Sequence, residues 1–192
     1  AIPATIGILD GVVRIGLNRA ELERLAKDRT AVKTNLSNLA AVLSSKQPGS
    51  TTVAATMAAA HANGIRVFAT GGIGGVHRGV DISGDISTDL IALSRVPVAV
   101  VTAGAKAILD LPRTVEMLET LGVPVVGFGT DEFPAFYRRS SGLRVDARVD
   151  SIDALADAVN THLALGLGSG VLVANPIPEN DELPSDEYET AL

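Results

Sequence analysis

A lysine, two aspartates and a glycine-rich loop stand close together in the middle of the sequence. The loop is Thr70–Gly79, the aspartates belong to Asp85-Ile-Ser-Thr-Asp89, and Ala103-Gly-Ala-Lys106 follows an apolar run. Backbone amides beside glycine can hold a phosphate, carboxylates and hydroxyls can hold a hard metal ion, and an uncharged lysine can attack a sugar aldehyde. The three segments predict an enzyme that binds and attacks a phosphorylated sugar.

The loop Thr70–Gly79 has five glycines among its ten residues. Glycine permits positive φ and close approach of a ligand to the backbone, which favours an anion cradle. The loop is neither a Walker loop nor a dinucleotide fingerprint, because His77 stands where the last glycine would be. A tight strand-to-helix connection explains the composition equally well, with His77 as a hydrogen-bonded loop histidine and Arg78 as a surface charge.

Asp85 and Asp89 are four residues apart at the start of a predicted helix, Ile86–Ser94. That spacing predicts that both carboxylates face one way. Together with Ser87 and Thr88 they supply only oxygen ligands, which suit Mg²⁺ or Mn²⁺ better than zinc. The alternative is that Asp85 caps the helix and Asp89 faces solvent.

Lys106 lies between a predicted buried strand, Pro97–Thr102, and a predicted helix, Ile108–Leu121. At a helix N-terminus the dipole disfavours a cation by roughly 0.3–1 kcal/mol, and partial burial acts in the same direction. Both effects favour the neutral amine, the form that makes an imine with an aldehyde. The alternative is a lysine that extends its charge into solvent.

Two further segments are candidates for ligand binding. Lys33 ends a short predicted strand and could hold a phosphate or a sugar hydroxyl, although a lone lysine is more often a surface charge. Thr51, Thr52 and Val53 begin a helix, where free amides suit an anion or the edge of a base. They could equally be only the cap and first turn of that helix.

Composition limits the classes of protein that the chain can belong to. Hydrophobic residues make up 46% of the 192 residues and aromatic residues only 3%, which suits a layered α/β domain. The net charge of −6 and the few aromatic rings argue against nucleic-acid binding. Cysteine is absent from the sequence, and no apolar run approaches the roughly 20 residues of a membrane span. We therefore expect a cytoplasmic protein that binds neither membranes nor nucleic acid.

The order of the predicted elements indicates the fold. A hairpin with an Asp10-Gly11 turn comes first, and strands and helices then alternate, with helices predicted at residues 35–44, 50–63 and 151–165. Alternation predicts an α/β fold with a mixed, mainly parallel sheet between helices, as αβα layers in a single domain of residues 1–192. The start at Ala1-Ile-Pro3 and the helix-like start at Asp186–Glu189 lead us to expect the central part of a longer domain.

The chain resembles the pseudouridine-5′-phosphate glycosidase family along nearly its whole length. The matching segments are PATIGILDG, GSTTVAATM, GIRVFATGGIGGVHRG, the DIS…D run, AGAKAILDLP, GVPVVGFGTDEFPAFY and VLVANPIPE. The resemblance implies reversible cleavage of the C–C glycosidic bond of pseudouridine 5′-phosphate to uracil and ribose 5-phosphate, with Mn²⁺. It also implies a homotrimer with a mixed αβα core.

The resemblance also implies a role for each candidate residue. Lys106 is the amine that forms an imine with the ring-opened sugar, and Asp85 is the Mn²⁺ ligand. The substrate site is implied to contain Lys33, Val53, His77, Ser87, Thr88 and Asp89. The family's general-acid glutamate precedes the residue that matches Ala1, and where the family carries a basic run this chain has Thr34-Asn-Leu-Ser-Asn38.

Two alternatives to the glycosidase remain at this point. One is another imine-forming lyase that acts on a phosphosugar, of the aldolase type. The other is a catalytically incomplete protein that binds phosphosugars or forms oligomers.

Overall fold

The computed structural model describes residues 2–184 and Tyr188, so most of the predicted helix start at Asp186–Glu189 lies outside the described residues. The chain divides into two compact units, Ala1–Ile65 and Arg66–Leu192. The sequence predicts a single domain for residues 1–192, and this stays a prediction.

The first unit begins with the predicted hairpin, strands β1 (Ile6–Leu9) and β2 (Val12–Ile15). The turn residues Asp10 and Gly11 have φ values of 55° and 77°. Two positive φ values in a two-residue turn match the right-handed twist of the flanking strands, which is why Asp-Gly is favoured there. The hairpin is confirmed.

Helix α1 (Arg19–Lys27) begins at a capping box. Asn18 Oδ1 accepts from the Glu21 amide over 3.0 Å, and Glu21 Oε2 accepts from the Asn18 amide over 2.9 Å. Two backbone donors that the helix itself cannot pair are therefore satisfied. The predicted cap at Asn18 is confirmed.

The rest of the first unit completes a four-stranded sheet of order β2-β1-β4-β3. Strand β4 is antiparallel to β1 and parallel to β3. The remaining elements of the unit are β3 (Val32–Thr34), α2 (Leu39–Ser44), β4 (Gly49–Thr51) and α3 (Val53–Ala62).

Two predicted helix starts in this unit are wrong. The first helix begins at Leu39 rather than at residue 35, because Asn35 Oδ1 accepts from the Ser37 amide over 2.8 Å and holds a turn. The second begins at Val53 rather than at residue 50, because Gly49–Thr51 pairs as a strand with β3. Local propensity does not reveal that pairing.

The second unit is built on a five-stranded sheet of order β5-β6-β9-β7-β8, in which every neighbouring pair is parallel. Its strands are β5 (Val67–Ala69), β6 (Ala99–Thr102), β7 (Val125–Phe128), β8 (Ala147–Val149) and β9 (Val171–Ala174). Its helices are α4 (Val80–Ser83), α5 (Thr88–Arg95), α6 (Leu111–Thr120) and α7 (Ile152–Ala164), and a 3-10 turn spans Glu179–Asp181.

Helices cover the parallel sheet. Leu155 and Val159 of α7 pack against Val126, Val171 and Val173. The connections through α5 and α6 move along the sheet in one direction, and the connection through α7 moves back. Because such crossovers are right-handed, α7 lies on the face opposite to α5 and α6. The α/β class with helices flanking a parallel sheet is confirmed, while the antiparallel hairpin belongs to the separate sheet of the first unit.

Two helices of the second unit begin later than the sequence predicts. Helix α5 begins at Thr88 because the Ser87 hydroxyl caps it, and α6 begins at Leu111 because Asp110 Oδ1 accepts from the Arg113 amide over 3.1 Å. Pro112 stands in the first turn, as expected. Within residues 2–184 and Tyr188, every helix is too short or too polar to cross a bilayer.

Candidate active site

The candidate site of the second unit lies where the parallel strands end. Because all five strands run the same way, their carboxyl ends share one edge of the sheet, which is where open α/β sheets bind ligands. Thr70 follows β5, Ala103 follows β6, Gly129 follows β7 and Asn175 follows β9. The glycine loop and Lys106 are therefore brought to the same edge, as their sequence positions predict.

Backbone hydrogen bonds join the glycine loop to the segment that carries Lys106. The Ala103 amide donates to the Gly71 carbonyl over 3.1 Å, and the Ile73 amide donates to the Gly104 carbonyl over 3.0 Å. The Lys106 amide then donates to the Ile73 carbonyl over 3.1 Å. These bonds fix the backbone of Lys106 beside the loop.

Lys106 itself is an exposed residue in a turn, which the Leu109 amide closes by donating to the Lys106 carbonyl over 3.0 Å. Helix α6 begins at Leu111, five residues further along the chain. The prediction that a helix dipole and burial act on Lys106 is therefore wrong. The residue is exposed, and α6 begins too far along the chain to activate its amine.

The glycine loop uses several of its amides inside the protein. The Gly74 amide donates to Asp89 Oδ2 over 2.8 Å, the Val76 amide to Thr114 Oγ1 over 3.0 Å, and the His77 amide to the Asp85 carbonyl over 3.0 Å. These donors are not available to a phosphate. The prediction of an anion cradle made from the bare amides of this stretch is wrong at those positions.

Close packing explains why two of the loop residues must be glycine. A Cβ on Gly74 would overlap Ser87 Oγ, and a Cβ on Gly75 would overlap Thr114 Oγ1. Neither glycine has a positive φ, in contrast to Gly79 with a φ of 76°. The loop therefore packs tightly against the start of α5 and against α6.

His77 and Asp85 form a pair of polar side chains at the glycine loop. His77 Nδ1 lies 3.8 Å from Asp85 Oδ2, and an antiparallel bridge between Val76 and Ile86 brings the two residues together. The side chains are 38% and 61% exposed, so both can reach a ligand at the surface. An imidazole beside a carboxylate can exchange a proton with a bound substrate.

Asp85 and Asp89 do not share a helical face, which corrects that prediction. Asp85 precedes the helix and is exposed, whereas Asp89 is 3% exposed inside α5. Ser87 is the N-cap, and its hydroxyl accepts from the Asp89 amide over 3.2 Å. Thr88 is the half-buried first residue of the helix. Asp89 therefore holds the glycine loop rather than facing solvent.

A manganese ion would have few protein ligands here. Residues 2–184 and Tyr188 contain no group of three histidine or carboxylate side chains that could surround an ion. The exposed oxygen atoms of Asp85 suit a hard cation that keeps most of its water ligands. Asp85 as a single protein ligand fits that chemistry, and Mn²⁺ stays a prediction.

Lys33 and Val53 belong to the first unit. Lys33 is exposed on β3, and its carbonyl accepts from Asn38 Nδ2 over 3.0 Å. Val53 is 8% exposed and is the first residue of α3, after a cap at Thr52. A ligand could therefore meet Val53 through its backbone more readily than through its side chain.

Two residues at the edge of the parallel sheet were not predicted. Phe136 has a φ of 64°, donates its amide to the Ala103 carbonyl over 2.9 Å, and places its ring where Gly71 and Gly72 lack side chains. Asn175 is exposed directly after β9. A polar residue after a buried apolar run is the signal that identified Lys106, and it could have identified Asn175.

Comparison with known proteins shows similarity over the whole chain. A family model described as indigoidine synthase A like protein matches residues 1–192. A pseudouridine-5′-phosphate glycosidase of Methylobacterium nodulans is 56% identical over 187 residues, which are 97% of this chain and 56% of that protein. The chain spans about three-fifths of the length of the curated relatives that it matches.

Two solved structures have the same fold. An indigoidine synthase A-like protein from Thermotoga maritima is 39% identical with a TM-score of 0.91, covering 97% of this chain and 62% of that one. The prealnumycin C-glycosynthase AlnA, in complex with ribulose 5-phosphate, is 40% identical with a TM-score of 0.94, covering 100% and 63%. These matches confirm the resemblance stated from the motifs, and the chain belongs to the indigoidine synthase A-like protein family.

Proposed function

We propose that the protein is a pseudouridine-5′-phosphate glycosidase, which reversibly cleaves the C–C bond between uracil and ribose 5-phosphate. The observation that carries the proposal is the position of Lys106, exposed at the strand edge and fixed through its backbone to the glycine loop beside His77 and Asp85. A relative with 56% identity bears that name, and AlnA was solved with a phosphorylated pentose.

The chemistry of the bond explains why an amine is needed. Carbon 5 of uracil is a poor leaving group, so simple hydrolysis through an oxocarbenium ion is difficult. When the neutral Lys106 amine attacks C1′, the bond from C1′ to the ring oxygen breaks, the ribose opens, and the ring oxygen takes up the proton that the nitrogen loses. The nitrogen lone pair then forms the imine as the C1′–uracil bond breaks, and carbon 5 of uracil takes a proton. Water hydrolyses the imine to ribose 5-phosphate and the free lysine.

The neighbouring residues have separate roles in this proposal. His77, whose Nδ1 lies 3.8 Å from Asp85 Oδ2, is proposed to transfer protons during ring opening. Asp89 holds the glycine loop in place through the Gly74 amide. Ser87 and Thr88 are proposed to line the substrate site of the second unit, while substrate contacts of Lys33 and Val53 stay predictions from the family resemblance. Mn²⁺, held by Asp85, would supply positive charge near the phosphorylated sugar.

Borohydride trapping tests the covalent step. Ribose 5-phosphate is added with borohydride, and the protein is digested and mapped by mass spectrometry. We expect a reduced adduct on Lys106, which Lys106→Arg abolishes and the control Lys46→Arg, at an exposed residue of the first unit, retains. An adduct on other lysines only, or none, would contradict the proposal.

A second assay separates the glycosidase from the alternatives. Release of uracil from pseudouridine 5′-phosphate is expected, without cleavage of phosphorylated aldol substrates. Aldol cleavage would favour the other imine-forming lyase. Binding of ribose 5-phosphate without an adduct would indicate a protein that only binds phosphosugars. A homotrimer, which sedimentation can test, and a cytoplasmic location complete the proposal.

A further inference from the structure

Asn175 is the first residue after β9, the central strand of the parallel sheet. The strand is buried along its whole length, and Asn175 is exposed. Within the part of the chain that the structure describes, its side-chain amide forms no hydrogen bond with the protein. A polar side chain at the carboxyl end of a central strand, not used by the fold, is placed to meet a ligand.

Thr102 connects Asn175 to the segment that carries Lys106. The Asn175 amide donates to the Thr102 carbonyl over 2.8 Å, and the Thr102 hydroxyl donates to the Gly104 carbonyl over 2.9 Å. In the register of β6 and β9, Thr102 pairs with Ala174. Asn175 and Ala103 are thus each one residue beyond a paired position on adjacent strands, about 5 Å apart.

The segment around Asn175 is held on its other side as well. Pro176 follows it and restricts the backbone. The carbonyl of Ile177 accepts a hydrogen bond from the Arg139 guanidinium. The position of Asn175 is therefore fixed by contacts on both sides, as a residue that selects a ligand requires.

We propose that Asn175 binds the uracil ring, an inference that rests on the proposed function. In the substrate the base is attached directly to C1′, the atom that Lys106 attacks, so the base must lie beside the Lys106 segment. A carboxamide has one acceptor and one N–H donor side by side, and uracil has alternating carbonyl and N–H groups. Asn175 is thus a specificity-determining residue for the base, and Lys106 acts on the sugar.

The test separates binding of the base from reaction with the sugar. Uracil affinity is measured by ligand-observed NMR on the full chain saturated with ribose 5-phosphate, and borohydride trapping is measured in parallel. We expect Asn175→Ala to weaken uracil binding about tenfold or more while adduct formation on Lys106 stays the same. Asn175→Asp, which removes the donor, should weaken uracil binding as well. Asn160→Ala, at an exposed position of α7, should change neither.

Three results would overturn the inference. The first is an unchanged uracil affinity in Asn175→Ala. The second is a loss of borohydride trapping that parallels the loss of uracil affinity, which would show that Asn175 acts on the sugar or on the loop. The third is an unsubstituted protein that traps ribose 5-phosphate and binds no uracil. Failure of the unsubstituted protein to trap the sugar would instead reject the proposed function itself, before any Asn175 variant is measured.

Discussion

The amide of Lys106 donates a hydrogen bond to the carbonyl oxygen of Ile73 over 3.1 Å. Ile73 belongs to the glycine loop, so this bond and its neighbour from Ile73 to Gly104 join the segments after two adjacent strands. The proposed nucleophile therefore depends on the packing of backbone against backbone. Substitutions that separate these segments should affect folding and imine formation together.

Gly104 is where that packing is tightest. It has a φ of 93°, and a Cβ there would overlap the Pro134 carbonyl oxygen. We expect Gly104→Ala to lower the free energy of unfolding by more than about 3 kcal/mol, because backbone clash adds to conformational strain. Urea unfolding measures the loss, with Gly122→Ala as the control.

Gly122 separates the two causes, since its φ is 67° and a Cβ there would meet open space. Gly122→Ala should cost only about 1 kcal/mol from conformation. Equal losses for both variants would show that the contact with Pro134 is unimportant.

The buried carboxylate of Asp89 offers a second prediction. Asp89→Ala leaves the Gly74 amide without its acceptor in a buried place, and we expect a loss of about 1–3 kcal/mol in the free energy of unfolding. Asp89→Asn keeps an acceptor and should cost less. Denaturant unfolding measures both, and Asp157→Ala, at an exposed residue of α7, should change stability by about 0.5 kcal/mol or less. An unchanged free energy of unfolding in Asp89→Ala would contradict the proposed positioning role.

Glu182 predicts a dependence of stability on pH. The Arg139 amide, and after it the Arg138 guanidinium, hold the pKa of this carboxyl below its ordinary value of 4.5. Because the folded-state pKa is the lower one, the stabilisation is present above pH 4.5 and is lost as the pH falls through the folded-state value. The difference in urea midpoint between the unsubstituted protein and Glu182→Gln should be largest near neutral pH and shrink in acid.

A matched variant controls for the general effect of removing a carboxylate. Glu119→Gln, at an exposed residue of α6, should not reproduce the pH dependence of Glu182→Gln. A Glu182→Gln difference that stays constant from neutral to acidic pH would show that the two arginine contacts do not act through charge.

A further prediction is that the Mn²⁺ affinity of the protein depends on the carboxylate of Asp85. We expect Asp85→Asn to weaken Mn²⁺ binding at least about tenfold, because a carboxylate is the ligand that a hard cation prefers. Relaxation of water protons by bound Mn²⁺ gives the affinity without any activity assay. Asp81→Asn is the control, since Asp81 is exposed on α4 and pairs with Arg113. Equal affinities for Asp85→Asn and the unsubstituted protein would reject the metal prediction.

Local signals in the sequence predicted much of this architecture. Asp10-Gly11 predicted the hairpin and Asn18 the first capped helix, because turn and cap chemistry acts over only a few residues. The strand at Gly49–Thr51 was missed, since only pairing with β3 makes these residues a strand. Pairing partners far apart in the chain leave little trace in composition.

The candidate site was predicted in its position and not in its electrostatics. Strand ends placed Lys106 and the glycine loop at one edge, since parallel strands share the direction of their carboxyl ends. The burial of Asp89 and the exposure of Lys106 could not be read from spacing, because each depends on where a helix begins. A shift of two or three residues in a helix start moves a side chain to another environment.

Among the residues that the structure describes, the last strand along the chain, β9, lies between β6 and β7. Until residue 174 has left the ribosome, β5–β6 and β7–β8 can form only two separate strand pairs, each with an open inner edge. Such edges invite pairing with other chains, so nascent or truncated protein should aggregate before this segment is available. Insertion of β9 pairs both edges and, in the same step, places Asn175 beside the segment that carries Lys106.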